Sequence, residues 1–302
     1  LHPDTREEYA LARTERKVAE GHTGFVCHAE PSVTLEEDLL RRDLTVNAMA
    51  RDADRNLIDP YGGKQDLEMG LLRHVSSAFE EDPLRILRVA RFAAQLNFRV
   101  EDDTLALMTT MVHRGDLTEL PPERVFAEIR RALTTAAPLK FFEVLDECHG
   151  LAEVFPNTGI EECQVIVAAS LPDAESRFAL LLHSVPPAQV SAICSKLKVP
   201  NSFADLALMM ATHFSAWQRL PMSSDEEIIR FYLQLDGARR PERLFKFNGL
   251  CRDLNDWLAR PDRDAQPLLE QAHHAYQQVD RKQLQHQYQG AAFGEALIVA
   301  AA

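Results

Sequence analysis

Cysteine is scarce in this chain of 302 residues: Cys27, Cys148, Cys163, Cys194 and Cys251 are odd in number and far apart, with no Cys-x-x-Cys among them. That spread argues against a disulfide framework or a cysteine zinc site and suits a reducing cytoplasm, where the protein is expected to work. No apolar run approaches the length that crosses a bilayer, and no signal-like stretch opens the chain at Leu1. Positive charge is also in deficit, with 33 Lys and Arg against 46 Asp and Glu and a net charge of -13. A nucleic-acid binder usually carries a basic footprint, so a polyanion would have to be met here by a local cluster. Neither an internal repeat nor a low-complexity tract is present. With 46% hydrophobic residues the chain can bury a sizeable core and is expected to divide into two or more domains.

What is present is concentrated in Glu81-Asp82-Pro83-Leu84-Arg85-Ile86-Leu87-Arg88-Val89-Ala90-Arg91-Phe92. Pro83 suits a first helical position and Asp82 a cap. Asp82 and Arg85, three apart, then place an acceptor beside a rigid donor fork, a pair that matches the Watson–Crick edge of a base. Arg88 and Arg91 continue the ridge and suit phosphates, while Leu84, Ile86, Leu87, Val89 and Phe92 are left to bury the remainder. Taken alone, the same residues also describe a capped helix with a solvated arginine face.

Upstream, Arg41-Arg42-Asp43 precedes the apolar-periodic run Leu44 to Ala50, which should be helical with Asp43 as its cap. Two arginines at such a helix mouth form an anion site. Leu57-Ile58-Asp59-Pro60-Tyr61-Gly62-Gly63-Lys64 reads as a strand end followed by an enforced turn. By itself it is a plain connector.

Order and spacing say more. The succession of Glu7 to Lys17 (EEYALARTERK), Arg41-Arg42-Asp43, Asp59-Pro60 with Gly62-Gly63, Glu81-Asp82-Pro83-Leu84-Arg85, and Leu120-Pro121-Pro122-Glu123-Arg124-Val125 with Glu128 resembles the bacterial class II tRNA nucleotidyltransferases. These are the CCA-adding enzymes, to which the poly(A) polymerases are related. The resemblance is dense from residue 5 to about 155 and thinner beyond, where Lys196 to Asn201 and Asp205-Leu206-Ala207 still look like the family. It implies addition of C, C and A to the tRNA 3′ end from CTP and ATP without a template, with Mg²⁺. The alternatives are a poly(A) polymerase, an enzyme adding only part of CCA, or a catalytically silent RNA- and nucleotide-binding remnant.

Residue by residue, the resemblance implies that Arg42, Arg88 and Arg91, with Arg41 beside them, bind the nucleotide through phosphates and sugar. It gives the ribose hydroxyls to Asp43 and the base to Asp82 and Arg85. Gly21, Gly24 and Phe25 fall in the family's flexible loop. Arg85, Arg88, Arg91, Arg130 and Arg131 are expected to line one cleft, while Glu36, Glu37, Asp38, Asp102 and Asp103 cover outer faces. The tRNA acceptor and T arms would be gripped by the helical body, with modest and salt-sensitive affinity; no protein partner is inferred.

Two departures stand out. The family's Gly-Gly turn and Asp-x-Asp metal pair are absent, so no catalytic or metal-binding residue is assigned within the chain. As position 1 is Leu, those residues are expected upstream in a longer gene product, without which the chain is expected to be inactive. Glu8 is the one carboxylate nearby, and Asp52-Ala53-Asp54 reads instead as part of a hairpin turn. In the back half, His183-Ser184 stands where some relatives carry a His-Asp phosphohydrolase pair, and His183, His273, His274 and His286 lack partners at ligand spacing, so no phosphohydrolase activity is expected.

The fold expected is α+β: a small mixed α/β nucleotidyltransferase head, incomplete here, over residues 1–75, a helical nucleotide-recognition neck over 76–155, and a helical tRNA-binding body and tail over 156–302. Strands are predicted at 8–14, 25–29, 48–53 and 57–59. Helices are predicted at 82–96, 102–113, 122–135, 138–148, 160–170, 174–182, 187–196, 201–213, 224–235, 240–258 and 265–281, broken at prolines.

Overall fold

The computed structural model describes residues 12, 14–17, 25–28, 32–156, 158–159 and 170–302. The predicted strand at 8–14 and the helix at 160–170 fall almost wholly outside them, as do Glu8, Gly21 and Gly24. The chain forms two compact units, one of residues 1–158 with Lys196–Lys198 and the other of residues 159–195 and 199–302. It has the α+β architecture of a small sheet-bearing head and a long helical remainder.

Among the described residues of the first unit, the strands form three short ribbons. β1 (Thr14–Lys17) pairs antiparallel with β2 (Phe25–His28), Thr14 opposite His28. After α1 (Leu35–Leu40), β3 (Ala50–Arg51) pairs antiparallel with β4 (Leu57–Ile58), Ala50 opposite Ile58. Asp52 closes that hairpin by accepting from the Asn56 backbone N–H and side-chain amide at 2.8 and 2.9 Å. Asp59 caps α2 (Gly63–Met69), accepting from the N–H groups of Gly63 and Lys64 at 2.7 and 2.9 Å, so Asp-Pro-Tyr-Gly-Gly is a helix entry as well as a turn. β5 (Leu71–Leu72) pairs in parallel with β6 (Arg99–Val100), and α3 (Leu84–Leu96) is the crossover between them. α4 (Asp102–His113), α5 (Pro122–Leu133), α6 (Leu139–Glu147) and α7 (Leu151–Val154) complete the unit.

The run after Asp43 departs from expectation. It makes one 3₁₀ turn, Thr45–Asn47, and no α-helix. Leu44 is drawn into an isolated bridge with His74, and the Thr45 N–H donates to the Arg73 carbonyl at 2.9 Å, so tertiary pairing outweighs the apolar period. Arg41 and Arg42 therefore follow the C-terminus of α1; there is no helix mouth for them to flank. The Thr45 hydroxyl donates to buried Asp66 at 2.7 Å, which fastens this turn to α2.

α3 packs against α5 and α6 and positions the site. Ile86, Leu87, Val89, Ala90, Ala93 and Ala94 are fully buried along one side of α3, as are Ile129 and Leu133 of α5 and Phe141 of α6, the helices that pack on it. Each large member contributes roughly 1.5–3 kcal/mol, and the alanines allow close helix approach. The opposite side is left to the arginines.

In the second unit, helix Asn201–Trp217 packs on Ala174–Leu181 and Pro241–Trp257, and helix Gln266–Gln278 on Pro241–Trp257 and Asp225–Gln234. Its buried polar groups are paired: Trp217 Nε1 donates to Asn248 Oδ1 at 2.7 Å and Gln218 Nε2 to Asn255 Oδ1 at 3.1 Å. Two helices that the sequence does not announce, Arg281–Gln287 and Gly290–Ala301, finish the chain.

Candidate functional site

The polar side of α3 faces a cleft of about 470 Å³, within the range of small-ligand sites. Arg41, Arg42, Asp43 and Asn47 line it from the turn after α1, Asp82, Leu84, Arg85, Arg88 and Phe92 from α3 and its approach, and Arg124 from α5. Five guanidiniums against two carboxylates make it a positive hollow in an acidic protein, suited to a polyanion.

Asp43 ties the two halves together. Its Oδ1 accepts from the Leu44 N–H at 2.9 Å and from Asn47 Nδ2 at 3.1 Å, and its Oδ2 from Arg88 Nε and Nη2 at 2.7 and 2.6 Å. Burial pushes this carboxyl up, but the Arg88 charge and the hydrogen bonds from Asn47, Arg88 and Leu44 outweigh it and hold the group below its usual 3.8. Arg41 and Arg42 both donate to Asp38, at 2.6 and 3.0 Å, and Asp38 is buried beneath them, contrary to its expected place on an outer face.

Asp82 begins α3 in the way the sequence suggests. Pro83 is the cap by backbone geometry, yet Asp82 Oδ1 accepts the Leu84 N–H at 3.1 Å. Its Oδ2 accepts from Arg124 Nη2 at 2.9 Å. Arg85 does not turn to Asp82: its Nη1 donates to the Ala78 carbonyl at 2.7 Å and its Nη2 to the Arg41 carbonyl at 2.6 Å. Burial lowers the Arg85 guanidinium from its ordinary value, against the opposing charges of Asp43, Asp82 and Glu81. Ser76 adds a second clip, its hydroxyl donating to the Leu40 carbonyl at 2.9 Å. The Arg-Arg-Asp turn and the start of α3 are thus pinned edge to edge.

Arg91, expected at the phosphates, is not brought to the cleft. Its Nε donates to Glu128 Oε2 at 2.5 Å and its Nη1 to Gln95 Oε1 at 2.9 Å, and its side chain is 10% exposed. It covers the Phe92 ring at 4.0 Å, and Arg88 approaches the same ring at 5.7 Å. Arg130 and Arg131 do not line the cleft either; Arg131 pairs with Glu128 at 2.7 Å. The reason is α5's rotation, which turns Glu128 inward and leaves Arg131 at its margin. Asn47 and Arg124 are polar cleft residues that sequence reasoning missed, and Leu84 and Phe92, assigned there to burial, line the cleft as well. Arg124 lies in the Pro-Pro-Glu-Arg string already singled out, but a pairing across 42 positions leaves no local trace.

In the second unit His183 is half-buried, with Nδ1 2.7 Å from the Leu180 carbonyl and its ring edge-on to Phe214. Burial lowers its pKa, only partly offset by the Leu180 carbonyl. His273 is held by the Tyr232 hydroxyl at 3.0 Å.

Two family models match the first unit: "Poly A polymerase head domain" over residues 3–73, and "Probable RNA and SrmB- binding site of polymerase A" over residues 97–159. Head, cleft and helical remainder together define a nucleotidyltransferase of the poly(A) polymerase type. Over 303 residues the chain is 43% identical to a "CCA-adding enzyme" of Coxiella burnetii, covering 98% of this chain and 80% of that one. A "Multifunctional CCA protein" of Thioalkalivibrio sulfidiphilus is 44% identical over 345 residues, covering 98% and 84%. A solved "CCA-adding enzyme apo form II" shares the fold with a TM-score of 0.72 at 20% identity, over 97% of this chain and 72% of that one. The Thermotoga maritima CCA-adding enzyme complexed with tRNA does so with a TM-score of 0.62 at 20% identity, over 92% and 71%. The chain belongs to the class II CCA-adding enzymes.

Proposed function

We infer that this chain is a tRNA nucleotidyltransferase that builds C, C and A on the tRNA 3′ end from CTP and ATP, without a nucleic-acid template. The observation that carries the assignment of its parts is the convergence of Arg41-Arg42-Asp43 with Asp82, Arg85 and Arg88 on one positive cleft. Arg42 and Arg88, with Arg41, take the triphosphate and sugar, and Asp43 the ribose hydroxyls. Asp82 accepts from the exocyclic amine of cytosine or adenine, and Arg85 donates to the neighbouring ring nitrogen. Uracil and guanine present carbonyls there and would leave Asp82 unpaired, which is how side chains alone can reject them. Arg91 serves through Phe92 and Glu128, steadying α3.

In this reading residues 76–155 read the nucleotide and the helices beyond hold the acceptor and T arms of tRNA through backbone and shape. The reaction is attack of the tRNA 3′-hydroxyl on the α-phosphate with release of pyrophosphate. Mg²⁺ belongs to such chemistry. Among the described residues no group of three or more His, Cys, Asp or Glu is placed to hold a metal, and Asp43 and Asp82 are each held by an arginine. The residues in view do not fit the ion, and no step is routed through it. No described helix is long and apolar enough to cross a membrane. Buried free thiols at Cys148, Cys194 and Cys251 support a cytoplasmic place of work.

The test is incorporation of labelled CTP and ATP, with Mg²⁺, into tRNA lacking its 3′ CCA, by the chain and by any longer product that its gene is found to encode. Two CMP and then one AMP added by either protein is the result expected. A homopolymeric A tail, or no incorporation by either, would overturn the reading.

A further inference from the structure

Within the reading above, the base-selecting acceptor is Asp82, yet the structure does not orient it with Arg85. Arg85 spends Nη1 and Nη2 on the carbonyls of Ala78 and Arg41. What fixes the Asp82 carboxylate is a bond at each oxygen: the Leu84 N–H on Oδ1 at 3.1 Å, and Arg124 Nη2 on Oδ2 at 2.9 Å. The first is a local cap that any aspartate there would make. The second comes from another helix, α5, and from a side chain that itself lines the cleft.

A carboxylate held at one oxygen only can swing about its terminal torsion, which is broad and two-fold. Held at both, it is fixed in one plane in the wall of the cleft that it lines. We propose that Arg124 is a positioning residue for base selection, setting Asp82 so that only a nucleobase with an amino group at that edge is accepted. Arg124 itself touches neither base nor phosphate in this account. Its removal changes which nucleotides bind far more than how well a triphosphate binds.

The inference rests on the function proposed above, and the test separates the two. CTP, ATP, UTP and GTP are titrated by calorimetry into the full chain mixed with tRNA lacking its 3′ CCA, for wild type, Arg124→Ala, Arg124→Gln and Arg124→Lys. Wild type should favour CTP and ATP; binding of none, or of all four alike, overturns the function and not merely the role of Arg124. Given that preference, Arg124→Ala should erode it by about tenfold, the equivalent of one hydrogen bond, with UTP affinity within about twofold of wild type. Arg124→Lys, keeping a donor without the planar fork, should restore part of the preference. Equal weakening for all four nucleotides, or an intact preference, overturns the proposal. Melting curves accompany each variant, and if Arg124→Ala does not fold, Arg124→Gln carries the same comparison.

Discussion

Arg91 of α3 and Glu128 of α5 form a buried ion pair, Nε to Oε2 at 2.5 Å, beneath the cleft they do not enter. Glu128 is 2% exposed and Arg91 8%. Removing Glu128 leaves the buried Arg91 without its counter-charge, held only by Gln95 and the Phe92 ring, which costs up to about 3–5 kcal/mol, whereas replacing both members with apolar residues of similar size is often neutral. Glu128→Ala should therefore lower stability by about that amount, and Arg91→Met with Glu128→Leu should recover most of it. Urea unfolding decides; a single variant no less stable than wild type would sink the idea that this pair holds α3 in place.

Asp43 predicts an acid dependence. Its folded carboxyl lies below its unfolded value of 3.8, because Arg88 and the Asn47 and Leu44 donors outweigh the cost of burial. A depressed carboxyl stabilises the fold fully above the unfolded value and loses that contribution as pH falls through the folded one. Wild type should exceed Asp43→Asn by about 2 kcal/mol near neutrality, with no slope down to about pH 5. The gap should close below pH 3.8. Stability measured for both proteins from pH 7 to 2.5 tests this, and a gap that widened in acid would contradict it.

How much of this was legible beforehand depends on the range of the interactions. The α3 motif was readable because its chemistry is local: Pro83 at a helix start, Asp82 two residues before the N–H it caps, and a buried strip of Ile86, Leu87 and Val89 opposite Arg85 and Arg88. The long helices of the second unit followed from apolar period and proline breaks. Thr45–Asn47 did not, since its conformation is decided by Arg73 and His74, which no local period reveals. Arg91 and Arg88 are indistinguishable in sequence, three apart on one helix. At 3.6 residues per turn the two lie about 60° apart around the helix, which gives Arg88 to Asp43 and Arg91 to Glu128, and only the packing of α5 specifies which. The acidic total of -13 coexists with a cleft where arginines prevail, and Arg85 and Arg88, expected at such a local cluster, line it.

Gly63 marks where the Arg-Arg-Asp turn leans on α2. A Cβ there would lie 2.1 Å from the Thr45 carbonyl oxygen and 2.9 Å from Met49 Cγ, so the backbone itself must give way. Gly63→Ala should cost about 1–3 kcal/mol and weaken nucleotide binding, by displacing the turn that carries Asp43 and Asn47. Gly62→Ala meets no atom within 4 Å but must adopt a φ of +75°, which costs about 1 kcal/mol with no displacement of the turn. Thermal melts and CTP titration of both variants are the check; equal binding by the two would argue that the turn and α2 move independently.

Arg42 and Arg85 separate grip from choice. Arg42, half exposed at the rim and paired with Asp38, suits phosphates, which every nucleotide carries alike. Arg85, deeper and anchored to two backbone carbonyls, keeps its remaining donors for an edge that differs between bases. Arg42→Ala should weaken CTP and ATP to the same degree, about tenfold or more, and should flatten the salt dependence of nucleotide binding, because one cation that meets phosphate is gone. Arg85→Ala should leave that salt dependence near wild type while narrowing the margin by which CTP and ATP exceed UTP. Titrations at two ionic strengths measure both quantities on the same samples. A selective loss of one nucleotide in Arg42→Ala, or an unchanged margin with lower overall affinity in Arg85→Ala, would mean the two arginines have been given each other's work.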